Sequence, residues 1–149
     1  MAANISIKLE GLKELDAALG EFPQATAKNI LRRTGAYALE PFDKAWRAKA
    51  PRLTGALEKS GSVGSKLTRS QRQAHERESF VEVFAGPGPN PQAIQQEFGN
   101  QNHGPQSFMR PAWDETQNEV AARVKDGLAA EIDKAAKRAA RKALKLAKA

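Results

Sequence analysis

Two stretches of helical apolar spacing, about Gln24 to Lys49 and Pro111 to about Ala147, constrain this chain more than any other feature. In the first, Ile30, Leu31, Thr34, Ala38, Phe42, Ala45 and Trp46 mark one face; in the second, Trp113, Gln117, Val120, Val124, Leu128 and Ile132 do so. Each stripe needs an apolar surface to cover it. Pro41 lies inside the first stretch and removes an amide donor, which predicts a kink or break. Pro51 ends that helix, and Pro111 suits the first turn of the other. After Ile132 the stripe fades into Ala, Lys and Arg, so packing there is thin and the final turns are frayed or solvated.

The remainder reads as short strands and loops. Asn4 to Leu9 alternates, with Ile5, Ile7 and Leu9 on one side, as a half-buried strand does. Leu12, Leu15, Leu19 and Phe22 then give a short amphipathic helix that stops near Gly20 and Pro23. Ala56-Leu57 and Val63 to Leu67 are weak strand material, and Ser79 to Gly86 alternates most clearly of all. Thr68 to Ser79 (TRSQRQAHERES) is charged, without apolar period, and reads as a mobile loop between two strands. GPGPNP at 86–91 reads as irregular, and Gly99 to Gln106 as a further loop. These pieces predict an α+β fold: a small antiparallel sheet of about four strands packed with a long, kinked helix and a long C-terminal helix. Residues 1–133 make one domain, and 134–149 a basic helical extension.

A chain of 149 residues with 40% hydrophobic content can build one core. Much of that content is alanine, so burial against neighbours would help a lone subunit. The absence of cysteine excludes disulfides, thiolate metal sites and cysteine nucleophiles. No secretory pattern opens the sequence and no run approaches the ~18 apolar residues of a membrane span, so a soluble protein made in a cytoplasm is expected. Its net charge of +7 sits in one place. Seven of the 24 basic residues (Lys134, Lys137, Arg138, Arg141, Lys142, Lys145, Lys148) follow Asp133, where no acidic residue occurs, leaving 17 against 17 acidic residues before it.

No pattern of catalytic, cofactor-binding or metal-ligating residues emerges. His75 and His103 lie in polar loop sequence without partners at ligand spacing, and Glu76 and Glu78 beside His75 read as loop charge. Ser60 and Ser62 in KSGSVGS lack the Gly-x-Ser-x-Gly order of a nucleophile turn. GPGPNP carries prolines where a phosphate cradle needs amides, and no Lys-Ser/Thr follows. A small basic nuclease would need a cluster of His, Arg, Lys or Glu, and none is visible.

Four short segments do stand out: Gly11-Leu12-Lys13-Glu14-Leu15; Ala50 to Leu57 (APRLTGAL); Glu97-Phe98-Gly99; and Ser107-Phe108-Met109-Arg110-Pro111-Ala112. Locally, Ala50-Pro51 ends a helix and Thr54-Gly55 turns into the sheet. Phe98 reads as a core or sheet-edge anchor and Glu97 as exposed or paired. Arg110 precedes a proline, which disfavours helix, and could pair with Glu97 or with a neighbouring subunit. Trp113 reads as core.

In this order and spacing, the segments resemble the gene-product-ten-like tail-component family of lambdoid siphophages, also called type 1 neck or tail-completion proteins. The resemblance spans roughly Ile5 to Ile132. The family pattern commonly has an aromatic shortly before Glu-Phe-Gly and a threonine after it; here Ile94, Gln95 and Gln96 precede and Asn100 follows. The Gly/Pro stretch at 86–91 is a further departure. The resemblance implies a structural virion protein, not an enzyme, located at the head–tail junction or tail end and made in the host bacterial cytoplasm. It would be a homo-oligomer, a hexameric ring stacked on neighbouring neck, tail-terminator or tail-tube proteins. Candidate interface residues are Glu97, Phe98 and Arg110, with Arg69, Arg72 and Arg77 in a loop expected to order on docking.

The tail has three readings: a solvated helix end whose cations favour the negative end of the helix dipole, a contact with an acidic partner, or a sequence-independent contact with DNA phosphates. Lys137, Arg138, Arg141, Lys142 and Lys145 are its candidate contacts. A nucleic-acid-binding protein working through this tail is the alternative function; no membrane contact is expected.

Overall fold

The computed structural model describes residues 11–52 and 55–149. The expected strand at Asn4–Leu9 and Leu53-Thr54 of the second motif lie outside them. The elements are α1 (Leu12–Gly20), α2 (Gln24–Lys49), α3 (Ala56–Lys59), β1 (Gly61–Gly64), α4 (Arg69–Ala74), β2 (Phe84–Pro87), α5 (Pro91–Phe98) and α6 (Met109–Ala147).

The two long stripes meet each other. α2 and α6 run antiparallel, as their cross-links show: Lys49 with Glu115, Glu40 with Arg123, and Arg33 with Glu131. These pairs are partly or largely exposed, so each contributes at most about 1 kcal/mol and mainly marks register. The stabilisation comes from between them. Ala38, Phe42 and Trp46 of α2 pack with Phe108, Ala112 and Val120, and Ile30 packs with Leu128 and Ala135 in a second cluster. α1 lays Leu15, Leu19 and, just beyond it, Phe22 on that second cluster. Trp113 is half-buried, its ring edge-on to Phe42 with centroids 5.6 Å apart.

Pro41 does not break α2, which continues to Lys49. A proline at this position leaves the carbonyl four residues back without its helical donor. That carbonyl belongs to Tyr37, and Arg123 donates to it across the interface at 3.3 Å. The same guanidinium reaches Glu40 at 3.1 Å and lies over the Tyr37 ring at 4.8 Å. α6 thus supplies the donor that α2 lacks.

The sheet is smaller than expected. Among the described residues it has two strands, β1 and β2, antiparallel with Gly61 opposite Pro87 and Gly64 opposite Phe84. Ala56-Leu57 forms a helical turn, α3, and not a strand. The Ser79–Gly86 alternation yields a strand only from Phe84, which runs on through Gly86 and Pro87, part of the stretch read as irregular. Upstream of it, the Glu82 carboxylate accepts the Glu78 amide at 2.9 Å, holding the backbone in a turn. The 68–79 segment contains a helix. Thr68 accepts from the Gln71 amide while the Gln71 side chain accepts from the Thr68 amide, a reciprocal capping box that starts α4.

Arg47 ties the sheet to α2. It donates to the Glu58 carbonyl and to the Gly61 carbonyl (2.7 Å), pairs with Asp43 at 2.9 Å, and lies over the Trp46 ring. β1 comes so close to that ring that a Cβ on Gly61 would sit 2.2 Å from Trp46 Cζ2 and 2.7 Å from the Gly86 carbonyl. Neither a fully buried ring nor a strand carbonyl can move aside cheaply. Gly61→Ala is expected to cost about 2 kcal/mol in urea unfolding, and an unchanged midpoint would contradict this packing.

Candidate functional site

The motif residues converge at the start of α6. This helix has no side-chain cap from its own N-cap, Phe108. Its first amides would be orphaned in a buried place. Glu97, the penultimate residue of α5, fills that role from outside. Its Oε2 accepts from the Phe108 and Met109 amides at 2.8 and 2.9 Å, and its Oε1 from the Arg110 amide at 3.2 Å. Arg110 Nε donates to the same Oε1 at 2.9 Å, and its Nη2 donates to the Glu97 carbonyl at 2.9 Å and to Ser107 Oγ at 2.8 Å. Ser107 Oγ in turn donates to the Glu97 carbonyl.

Glu97 is 5% exposed. Burial pushes its carboxyl up, but the Met109, Phe108 and Arg110 donors together outweigh burial and hold it below the usual carboxylate range. The negative charge also meets the positive end of the α6 dipole. Gly99 completes the knot. Its φ of 79° lies in the left-handed region, and a Cβ there would meet Pro105 N at 2.8 Å. The chain can therefore fold back so that Gln106 donates to the Gln96 carbonyl at 2.7 Å.

Arg110 is helical despite the following proline, because Pro111 falls in the first turn of α6, where its missing donor costs nothing. Phe98 is not a core anchor. It is 65% exposed, with the Arg110 guanidinium 5.0 Å from its ring centre. One turn earlier, Ile94 is 67% exposed. Both border a groove of about 630 Å³ whose walls include Ala85, Pro87, Pro91 and Met109, together with Thr68 and Gln71 at the α4 start.

Of the six candidate interface residues, Glu97, Phe98 and Arg110 are together, and Arg69, Arg72 and Arg77 stand apart from them. Arg69 is exposed on α4. Arg72 and Arg77 border a second cleft with His75, Glu82 and Arg32. There His75 lies 2.8 Å from Glu82, and its ring meets Phe84 edge-on. That hydrogen bond, followed by the Glu78 amide, holds the Glu82 carboxyl below its usual range. Arg72 donates to the Leu67 carbonyl, and Arg77 to those of Ser79 and Phe80. Ser60 donates to the Leu57 carbonyl, and His103 lies beside the Gly104 carbonyl. Among the described residues no group of three or more His, Asp or Glu is placed to hold a metal ion, and no helix is long and apolar enough to cross a membrane.

Comparison with family models, with curated proteins and with solved structures gives no match.

In the tail, α6 continues to Ala147, and every residue after Ala135 is exposed. Lys137 is not a free cation: Asp133 holds it at 2.9 Å, and that hydrogen bond and the carboxylate charge raise its pKa. The sequence reading missed α5, although Asn90-Pro91 carries its start signal. The Asn90 side chain accepts from the Gln92 amide and Pro91 takes the first turn.

Proposed function

We propose that this chain is a structural subunit of a long-tailed phage or phage-like particle, acting in tail completion and head–tail joining by ring assembly and without catalytic turnover. The observation that carries this reading is the convergence of Glu97-Phe98-Gly99 and Ser107–Pro111, half of the motif series that resembles the tail-component family, into one knot. The knot fixes the α5–α6 corner and leaves Ile94 and Phe98 exposed along an apolar groove. Exposed apolar side chains on a rigid corner suit docking to a neighbouring subunit better than they suit chemistry. In the second cleft Arg72 and Arg77 are engaged with backbone carbonyls.

The test is genetic. A particle genome lacking this gene is expected to give separate filled heads and tails by electron microscopy. Complementation with wild type should restore joining, whereas Ile94→Asp/Phe98→Asp should fold normally, since both side chains are exposed, yet restore at least ~10-fold fewer joined particles. Normal joining without the gene would overturn the assignment, and full rescue by the double variant would overturn the role of the groove.

A further inference from the structure

We infer that the exposed end of α6 is a binding site for the phosphate backbone of duplex nucleic acid, with Arg138, Arg141, Lys142 and Lys145 as its contacts. The inference rests on the tail alone and stands apart from the particle reading.

The fold leaves this segment exposed to solvent. Ala135 is the last buried residue of α6, seated with Ile30 of α2, and α2 itself begins at Gln24. Beyond that point every residue of the helix is exposed, although Arg138, Ala139 and Lys142 still border a shallow cleft with Phe22 and Thr26 at the start of α2. It needs no tertiary support to persist. Alanine, lysine and arginine are strong helix formers, and the segment continues a helix already nucleated.

Helical geometry then sorts the side chains. At ~100° per residue, Arg138, Arg141, Lys142, Lys145 and Lys148 fall within an arc of about 120°, and Ala139, Ala140, Ala143, Leu144 and Leu146 lie on the other side. Countercharge runs out at the same place. Lys134 reaches Glu131 at 3.4 Å and Lys137 reaches Asp133 at 2.9 Å, but no acidic residue follows Asp133 in the sequence. Arg138, Arg141, Lys142 and Lys145 stand together on the surface with nothing of opposite sign between them. Spaced three and four apart, they repel one another. A polyanion removes that repulsion and gains by releasing its own counterions.

The character of the other face selects among polyanions. An anionic membrane surface needs a bulky apolar face to bury, and this one is mostly alanine with two leucines and no aromatic. A duplex offers about one negative charge per ~1.7 Å along its axis, matching a row of cations on a rigid helix whose width fits the major groove. The segment from Lys134 onward has no Asn, Gln or aromatic residue to read or stack on bases, so the contact is with phosphates and independent of sequence.

The test uses the full chain and fluorescence anisotropy with two unrelated 30-base-pair DNA duplexes. Both are expected to bind alike, with affinity falling about 100-fold between 50 and 200 mM salt, as ~4 phosphate contacts require. The variant Arg138→Gln/Arg141→Gln/Lys142→Gln/Lys145→Gln should keep the wild-type Tm, because all four side chains are exposed, and lose nearly all of that salt dependence. The inference is overturned by absence of binding at 50 mM salt, by equal binding in the variant, or by tighter retention on anionic phospholipid vesicles or polyglutamate than on DNA. Particle joining by the same variant is scored separately, so either result stands whatever the other shows.

Discussion

Glu97→Ala is expected to lower the stability of the fold by about 3–4 kcal/mol, a fall in Tm of roughly 10 °C for a chain of this size. The variant orphans three amides at the start of α6, two of them on Phe108 and Met109, beneath the α5–α6 corner. It also leaves the Arg110 guanidinium without its carboxylate. Glu97→Gln keeps the shape but turns an amide NH₂ toward donors that need an acceptor, and about half the loss is expected. Arg110→Ala should cost only about 1 kcal/mol, because that side chain is 59% exposed and its pairing is screened. The order of the three in thermal unfolding separates capping from ion pairing. If Arg110→Ala cost as much as Glu97→Ala, the salt bridge and not the cap would hold the corner.

The pH dependence follows from the same carboxylate. Its pKa in the fold lies below its ordinary value, because the hydrogen-bond donors of α6 outweigh the burial that pushes it up. The unfolded chain therefore takes up the Glu97 proton first as pH falls. The contribution of the charge is complete above the unfolded pKa of ~4.3 and is lost as pH drops through the lower folded value. The stability gap between wild type and Glu97→Ala should stay constant from pH 7 to about 5 and narrow below about 4. A gap unchanged into strong acid would show that the charge contributes nothing beyond shape.

Whether a feature was legible in the sequence depended on how local its cause is. α2 and α6 were legible because periodicity sums over many residues, and α1 because Gly20 and Pro23 bracket its end. Two shorter helices carried local signals: Thr68 with Gln71 for α4, and Asn90-Pro91 for α5. There the polar, Gly/Pro-rich composition hid a cap that reads correctly by position. The Ser79–Gly86 alternation misled for the opposite reason. Its period suits a strand, but Glu82 bonds back to the Glu78 amide and keeps the first half out of the ladder. The start of α6 is marked locally by Pro111 alone, since its cap lies eleven to thirteen residues upstream. Glu97 and Arg110 could be suspected as a pair from sequence, but the three backbone amides that make the carboxylate matter could not. The exposure of Phe98 was equally hidden: it follows from α5 using Ala93 and Glu97, not Phe98, to face inward.

Trp46→Ala should cost about 4 kcal/mol, comparable to or larger than the loss at Glu97, with Trp46→Phe recovering more than half. Trp46 is 0% exposed and joins three parts of the fold: its ring packs on Phe108 with centroids 6.0 Å apart, borders Gly61 of β1, and carries the Arg47 guanidinium that bonds the Gly61 carbonyl. Its indole N–H donates to Asp43 at 3.1 Å, so the alanine variant also frees a carboxylate that Arg47 must then hold alone. Phe108 links this site to the knot. Its ring is held by Trp46 and its amide by Glu97, so either loss loosens the residue through which the other acts. Urea unfolding of Trp46→Ala, Glu97→Ala and the double variant should therefore show a combined loss smaller than the sum by about 1 kcal/mol or more. Because the combined loss approaches the whole stability of many domains, the cycle is best run with Trp46→Phe in place of alanine. Simple additivity would mean that the Phe108 ring and backbone respond independently, and that the knot and the core beneath it are separate units.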